Sequence, residues 1–548
     1  MPPTVKGTGN PHAQICLVGM APASEEVAIG KPFVGRAGRV LNNALYQIGL
    51  PREAIWITNL SESPLPKDGS FFDLPHVERE SHLNRLGAEL EQVKPNVILL
   101  LGNDPLEAIT TRRSISKWRG SILRGTGRFD GIKCVAAYHP AFIVRGMFKW
   151  EPVFTHVDLK RAVEESVYPD IRLPVRNSIV GPSYSQVVEY IDECATKEYL
   201  SFDIETVGHR EISCVGIGYR TDEALCIPFT KGGIYNYFTL EEEADIWLRL
   251  AALLQNPSIK KVAQNAAFEW LHFWRRHIFP KNLWIDTMLL HHCLYPNFGG
   301  TEDIWRGKRD PDNPGHGLAF INSQYTKTPY YKDDGRKWTP DMGDRKFWEY
   351  NCYDVMCTLD PALQMEQEAK ECKQWDVYLH RYVRTFERSL RMEWQGTPID
   401  ITLREFAKKQ YASRLAEIQL RLHEVLGFEL NVNSPQQIQN LLYKTKGYQV
   451  RNNPKTKRPT VDKTVLAYYA EKKQDESLQL ILEQRQIKDL ISDILDQELS
   501  EDGHIHTHYK LGGTSGPRWS SGRSILGSGT NLQNLPRKGI ARRLFVAG

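Results

Sequence analysis

The chain has 548 residues, 41% hydrophobic and 25% charged, with a net charge of +4; this is the make-up of roughly three or four ordinary folded domains and excludes disorder, collagen and low-complexity repeats. Its longest apolar runs, such as residues 97–101, fall far short of the roughly 20 residues needed to span a bilayer, and MPPTVKGTGN at the start has no apolar signal core, so a cytoplasmic protein without membrane spans is expected. The nine cysteines include no CxxC, which argues for a reduced compartment and against a zinc or iron–sulfur site.

In chain order, apolar runs at 15–18, 55–57, 97–101 and 134–137 alternate with helical patterns at 38–47 and 76–92, predicting a parallel α/β sheet within residues 1–165. The runs end in Gly19-Met20-Ala21-Pro22, Thr58-Asn59, Gly102-Asn103 and Tyr138-His139-Pro140. Strand carboxyl ends in such a sheet converge on a crevice, so these clusters are expected to meet. Between 155 and 184 the periodicity fails around Pro169, Pro174 and Pro182, predicting a linker, with 166–196 leading into the next domain. Runs at 199–204, 212–219 and 224–229, followed by helices near 241–255 and 268–277, predict a second α/β domain with a hairpin-built sheet over 197–377. Amphipathic helices at 403–426, 436–443, 462–472 and 477–495 make residues 378–500 mainly helical. Residues 501–548 are Gly/Ser-rich and extended in character. Two stretches carry basic residues without any acid: 108–129 with six Lys/Arg, and 503–548 with seven and three histidines, the latter suited with its glycine turns to phosphate.

The motifs GMAPASEEVAIGKPFVGRAGRVLNNAL (19–45), ITNL (57–60), LLLGNDPLEAI (99–109) and YHPAFIVRG (138–146) resemble the uracil-DNA glycosylase superfamily, in particular its thermophile-type branch. The resemblance implies a parallel α/β/α domain in which Phe33 stacks on an extruded uracil, Asn59 bonds its edge and His139 stabilises charge on the departing base. Two departures stand out. Met20 replaces the branch's usual acid, leaving Glu26 as the candidate to position water, and the four ligating cysteines are missing, so no iron–sulfur cluster is expected.

Metal-assisted phosphodiester cleavage needs several carboxylates around shared cations. Asp203 and Glu205 in SFDIET fall on one face of a strand by alternation, and Tyr350 and Asp354 in EYNCYDVMCTLD fall four apart on one helical face. With AQNAAFEW (263–270) between them, these segments resemble the DEDD superfamily of 3′→5′ exonucleases in its tyrosine version. That resemblance implies an RNase H-like α/β domain with two Mg²⁺ or Mn²⁺ ions held by Asp203, Glu205, Glu269 and Asp354, and a nucleophilic water oriented by Tyr350. Glu269 stands where the family has aspartate, and Asp286 has no assigned metal role.

NVNSPQQIQNLLY (431–443), ILEQRQIKDLISDIL (481–495) and above all NLQNLP (531–536) are similar to the thumb and palm entry of family A DNA polymerases. The resemblance implies contacts from Lys488, Arg518, Gln533 and Asn534 to a primer–template, alongside a single-stranded 3′ end at the exonuclease. The sequence stops at Gly548, before the family's catalytic palm motifs, so either it is cut there from a longer protein or a second chain carrying palm and fingers is the expected partner, with Leu544, Phe545 and Val546 needing its cover. A phage replicase is the reading that joins the three regions. The rival is a catalytically silent DNA-holding subunit.

Overall fold

Five-residue runs of branched and aliphatic side chains, buried on both faces, form the centre of the first sheet. In the computed structural model its strands are β1 (Thr8–Gly9), β2 (Ile15–Gly19), β3 (Trp56–Asn59), β4 (Val97–Leu101), β5 (Ile122–Arg124) and β6 (Lys133–Ala137), in the order β1-β3-β2-β4-β6-β5. The four strands expected from sequence pair in parallel, β3 with β2, β2 with β4 and β4 with β6, and the edge strands are antiparallel. Helices Arg36–Gln47 and His76–Val93 supply apolar residues such as Leu41, Leu86 and Leu90 to its core. The structure describes residues 4–66, 68–207, 211–298, 315–336, 338–339, 342–453, 458–516, 518–525, 529–535 and 539–546.

The second sheet runs Leu283–Asp286, Lys260–Ala263, β8 (Tyr199–Val207), β9 (Glu211–Gly218), β10 (Glu223–Pro228) and β7 (Asn177–Ile179). β8, β9 and β10 are the expected antiparallel series. The 27-residue helix Arg345–Glu371 crosses it and buries Cys352, Val355 and Met356 against Cys214, Ala224 and Cys226.

The stretch read as a linker is only partly one. Residues 151–165 are helical, with Phe154, Leu159 and Ala162 in the first domain's core, and Asn177–Ile179 joins the second sheet beside β10. Pro152 sits in the first turn, where a helix tolerates proline, and the next proline, Pro169, lies beyond the helix end at Glu165.

By contacts the chain forms two units, Met1–Thr385 with Leu511–Arg518, and Phe386–Lys510 with Trp519–Gly548. Within the first unit, the stretch between the second sheet and the long helix packs on the first domain. Phe298 and Phe320 reach the buried Trp150, with ring centroids 5.5 and 5.4 Å away. Arg119 pairs with the fully buried Asp158 at 2.8 Å and also donates to the Ser323 hydroxyl. In the second unit, helices Ile401–Leu426, Lys463–Lys472 and Glu476–Leu490 share a core around Leu466, Leu478 and Ile481.

One feature of the second unit adds to the sequence reading and another corrects it. The histidines of the basic segment clip it to helix Arg384–Gln395: His504 Nδ1 meets the Gln395 carbonyl at 2.7 Å, His506 Nδ1 the Glu393 carbonyl at 2.7 Å, and His508 Nδ1 the Glu393 carboxylate at 2.7 Å. Leu544 needs no outside cover. Its carbonyl accepts from the Asp400 amide at 2.9 Å, and its side chain is buried with Ile399, Leu495 and Ile505, because a bridge between Ile399 and Phe545 draws the end of the segment into this unit's own core. Val546 is 42% exposed.

Burial pushes the Asp158 carboxyl up to about 6 against the opposing pull of Arg119 and Arg161. An acid raised in this way favours the folded state most at low pH and less as pH rises through that value. Arg119→Ala leaves the carboxylate buried without its closest cation, so it is expected to cost about 3 kcal/mol at pH 8. The cost should be smaller at pH 5, where Asp158 is protonated; urea unfolding at the two pH values measures both.

Candidate active sites

β8 carries Asp203 and Glu205 on one face, and helix Arg345–Glu371 brings Tyr350 and Asp354 towards them. One oxygen from each of Asp203, Glu205 and Asp354 lies within 4.8 Å of the others. Asp354 is buried, while Asp203 and Glu205 are half-buried. Glu269, from helix Ala267–Trp274, stays outside this trio but is buried, and its Oε2 has no hydrogen-bond partner among the described residues. Burial pushes Asp203, Glu205 and Glu269 above the ordinary carboxylate range, and repulsion adds to it, from Asp354 on Asp203 and from Asp203 on the other two. Acids so arranged ionise together only when a cation joins them. The all-oxygen donor set and the orphan Glu269 oxygen suit a hard divalent ion such as magnesium or manganese.

Three neighbours escaped the sequence reading. Asn351 Nδ2 donates to Asp203 Oδ2 at 2.9 Å. The Tyr331 hydroxyl donates to Asp354 Oδ1 at 2.7 Å, and Lys332 Nζ donates to Asp354 Oδ2 at 2.5 Å and to the Tyr350 oxygen at 2.8 Å. Asn351 lies inside a motif already singled out. Tyr331 and Lys332 lie in a stretch without periodicity, where nothing but tertiary contact reveals them. Asp286 also gains a role: its carboxylate accepts from the amides of Asn265, Ala266, Met288 and Leu289 at 2.9 to 3.3 Å, and so fixes the turn that launches the Glu269 helix.

In the first domain the strand ends do converge. A cleft of about 1020 Å³ is lined by Met20, Asp68, Asn103, Ser114, His139 and Arg145 among others. Phe33 and Asn59 are each 4% exposed and pack beside Gly19, where a Cβ would come within 2.4 Å of Asn59 Oδ1 and 2.7 Å of the Phe33 ring. Only glycine permits that approach. Phe33 has φ 51°, a strained conformation for a bulky residue, and its ring stacks on His139 with centroids 5.3 Å apart.

His139 Nδ1 accepts from the Ala141 amide at 3.0 Å, so the proton of the neutral ring sits on Nε2. Burial, reinforced by Arg145, pushes this imidazole down to about 4. Glu26 is placed differently from a free acid. Its two oxygens accept from the amides of Ala23 and Gly35, each at 3.0 Å, and so hold the two ends of the loop that presents Phe33.

Of the residues expected to touch DNA, Lys488 is half-buried and Gln533 exposed in the second unit, and Arg518 is exposed in the first. The side chain of Asn534, and Pro536 of NLQNLP, lie outside the described residues.

Three families match in series: the Uracil DNA glycosylase superfamily over residues 6–165, a 3′-5′ exonuclease family over 182–370 and DNA polymerase family A over 402–548. Type-4 uracil-DNA glycosylases of Archaeoglobus fulgidus and Thermotoga maritima are 35% and 33% identical over 145 and 144 residues, which is 26% of this chain and 71% of each of theirs. A DNA polymerase of Bacillus phage SP01 is 20% identical over 99% of this chain and 65% of that protein. The POL domain of Pol1 from M. smegmatis, solved with DNA primer-template and dNTP, shares the fold at TM-score 0.51 and 20% identity, over 68% of this chain and 59% of that one. The chain thus spans under two thirds of either polymerase. Among the described residues, no helix is long and apolar enough to cross a membrane. With an exonuclease domain and a family A polymerase region following it, the segment 6–165 makes this chain a member of the uracil-DNA glycosylase superfamily.

Proposed function

We propose that the chain removes nucleotides from the 3′ end of single-stranded DNA by metal-dependent hydrolysis, as the proofreading part of a family A polymerase. The observation that carries this reading is the meeting of Asp203, Glu205 and Asp354 within 4.8 Å, with the buried Glu269 oxygen that has no hydrogen-bond partner among the described residues. Magnesium or manganese, when bound, activates water and neutralises charge on the phosphodiester. The chain's own residues hold that chemistry in place: Asn351 fixes Asp203, and Tyr350 offers its phenol proton to the attacking water or to a phosphate oxygen. The region from 402 onward is read as a duplex holder, with Lys488, Arg518 and Gln533 against the backbone.

The first domain is read as a binder of extruded uracil. A neutral His139 with its proton on Nε2 presents a donor to charge developing on a base. Met20 in the acid's place and a Glu26 whose two oxygens are engaged by backbone amides favour binding with weak excision over fast turnover.

Asp203→Ala and Asp354→Ala are each expected to abolish release of 3′ nucleotides from labelled single-stranded DNA with magnesium, with duplex affinity by gel shift nearly unchanged. Glu269→Asp should maintain or raise the rate, and a large loss would show that the local backbone is built for glutamate. Any cleavage at uracil should vanish in His139→Ala and in Asn59→Ala, and turnover indifferent to both would refute the assignment. Because the folded-state value of His139 lies below the ordinary 6.5, its contribution to stability is present above 6.5 and lost as pH falls through about 4. Imidazole NMR should therefore find it neutral at pH 6.

A further inference from the structure

Residues 327–336 form a strap between the first domain and the acidic centre. On the first-domain side, Lys327 pairs with Glu165 at 2.7 Å. The Tyr330 amide donates to the Ser121 hydroxyl at 3.2 Å, and its ring packs edge-on against Trp118 with centroids 5.4 Å apart. Asp333 accepts from Lys117 at 2.8 Å and from the Tyr330 hydroxyl at 2.9 Å. Between the anchors at 330 and 333, Tyr331 and Lys332 turn the opposite way, onto Asp354 and Tyr350. The strap lies close: a Cβ on Gly335 would come within 2.4 Å of the Tyr350 ring.

We propose that the glycosylase-like domain is a working part of the exonuclease centre: it clamps the strap, and through the strap Lys332 acts as a positioning residue for Tyr350 and Asp354. The inference rests on the exonuclease reading above. The Lys332 side chain is 12% exposed, and its ammonium is the cation held directly on Asp354 among the described contacts. By donating to the Tyr350 oxygen it occupies a lone pair there, which leaves the phenol proton as the group Tyr350 can offer outward. A lysine on a free loop would lose much of its rotamer freedom on being held this way. With anchors two residues before it and one after, and Cα atoms about 3.8 Å apart along the chain, it cannot move far from the centre. The described contacts of these anchors run to the first domain, so a domain that resembles a base-excision enzyme contributes to a different reaction by holding the strap.

The test uses the full chain, magnesium and 5′-labelled single-stranded DNA, with hydrogen exchange of the strap as a second readout. Lys117→Asp and Asp333→Lys should each lower kcat about tenfold with KM for DNA little changed, since errors of about 1 Å can cost as much as a hundredfold. Each should also raise exchange in 327–336. The reversed pair, Lys117→Asp with Asp333→Lys, should restore both readouts. Lys332→Met should lose about a hundredfold in kcat, and Lys332→Arg should recover part of it. Single reversals that loosen the strap but keep wild-type kcat would overturn the proposal, as would single reversals that leave strap exchange unchanged. If wild type and Asp203→Ala degrade DNA equally, the exonuclease reading fails, while the exchange data still decide whether the first domain clamps the strap.

Discussion

Repulsion among crowded carboxylates is the constraint around which the first unit is arranged. Asp203, Glu205 and Asp354 bring oxygens within 4.8 Å of one another, and Glu269 adds a fourth carboxyl with an oxygen unpartnered among the described residues. Left alone, such a group lowers stability and takes up protons. Strand pairing of β8 with β9 and Lys260–Ala263 holds two of the acids, a 27-residue helix holds the third, and a helix whose preceding turn is fixed by Asp286 holds the fourth. The scaffold tolerates the repulsion because the acids sit on regular elements whose backbone bonds and apolar faces are satisfied elsewhere. That is how a fold keeps a cation site poised.

The first domain, read as a base binder, answers a different requirement. Gripping a base on its face and its edge calls for rigid aromatic and amide groups at the carboxyl ends of strands. Gly19 lets Asn59 and Phe33 close on the strand end, Glu26 holds the loop on both sides of Phe33, and the Ala141 amide sets the His139 tautomer. Each device is a backbone hydrogen bond or a missing Cβ, and each acts on a neighbour within the same crevice. In this arrangement Glu26 contributes geometry, and Met20 supplies no proton acceptor in place of the acid.

The two α/β domains share one unit because the connection between the second sheet and its long helix is used as packing material. Phe298 and Phe320 complete the core around Trp150, Arg119 reaches from Asp158 to Ser323, and Lys327 joins Lys133 on the buried Glu165. In the second unit a comparable economy appears at Glu393, whose carboxylate accepts from His508, from the Ser524 hydroxyl at 2.8 Å and from the Ile525 amide at 2.9 Å. A segment with no acid of its own is anchored there by one borrowed from a helix.

Periodicity and motif spacing by themselves determined the four parallel strands of the first sheet, β8, β9 and β10 of the second, the helices from 401 to 490, and the pairing of Asp203 with Glu205 and of Tyr350 with Asp354, because these depend on local alternation and helical repeat. The three family resemblances were legible for the same reason: their motifs are short and contiguous. Tertiary structure alone decided what depends on distant chain segments. It brought Tyr331 and Lys332 to Asp354, turned Glu26 from a free acid into a loop brace, gave Asp286 its four amides, made 151–165 a core helix and folded Leu544 into the second unit. A carboxylate reads the same in sequence whether it meets water, a backbone amide or a cation. Which of these it meets is set by elements that can lie a hundred residues away, and only packing brings them together.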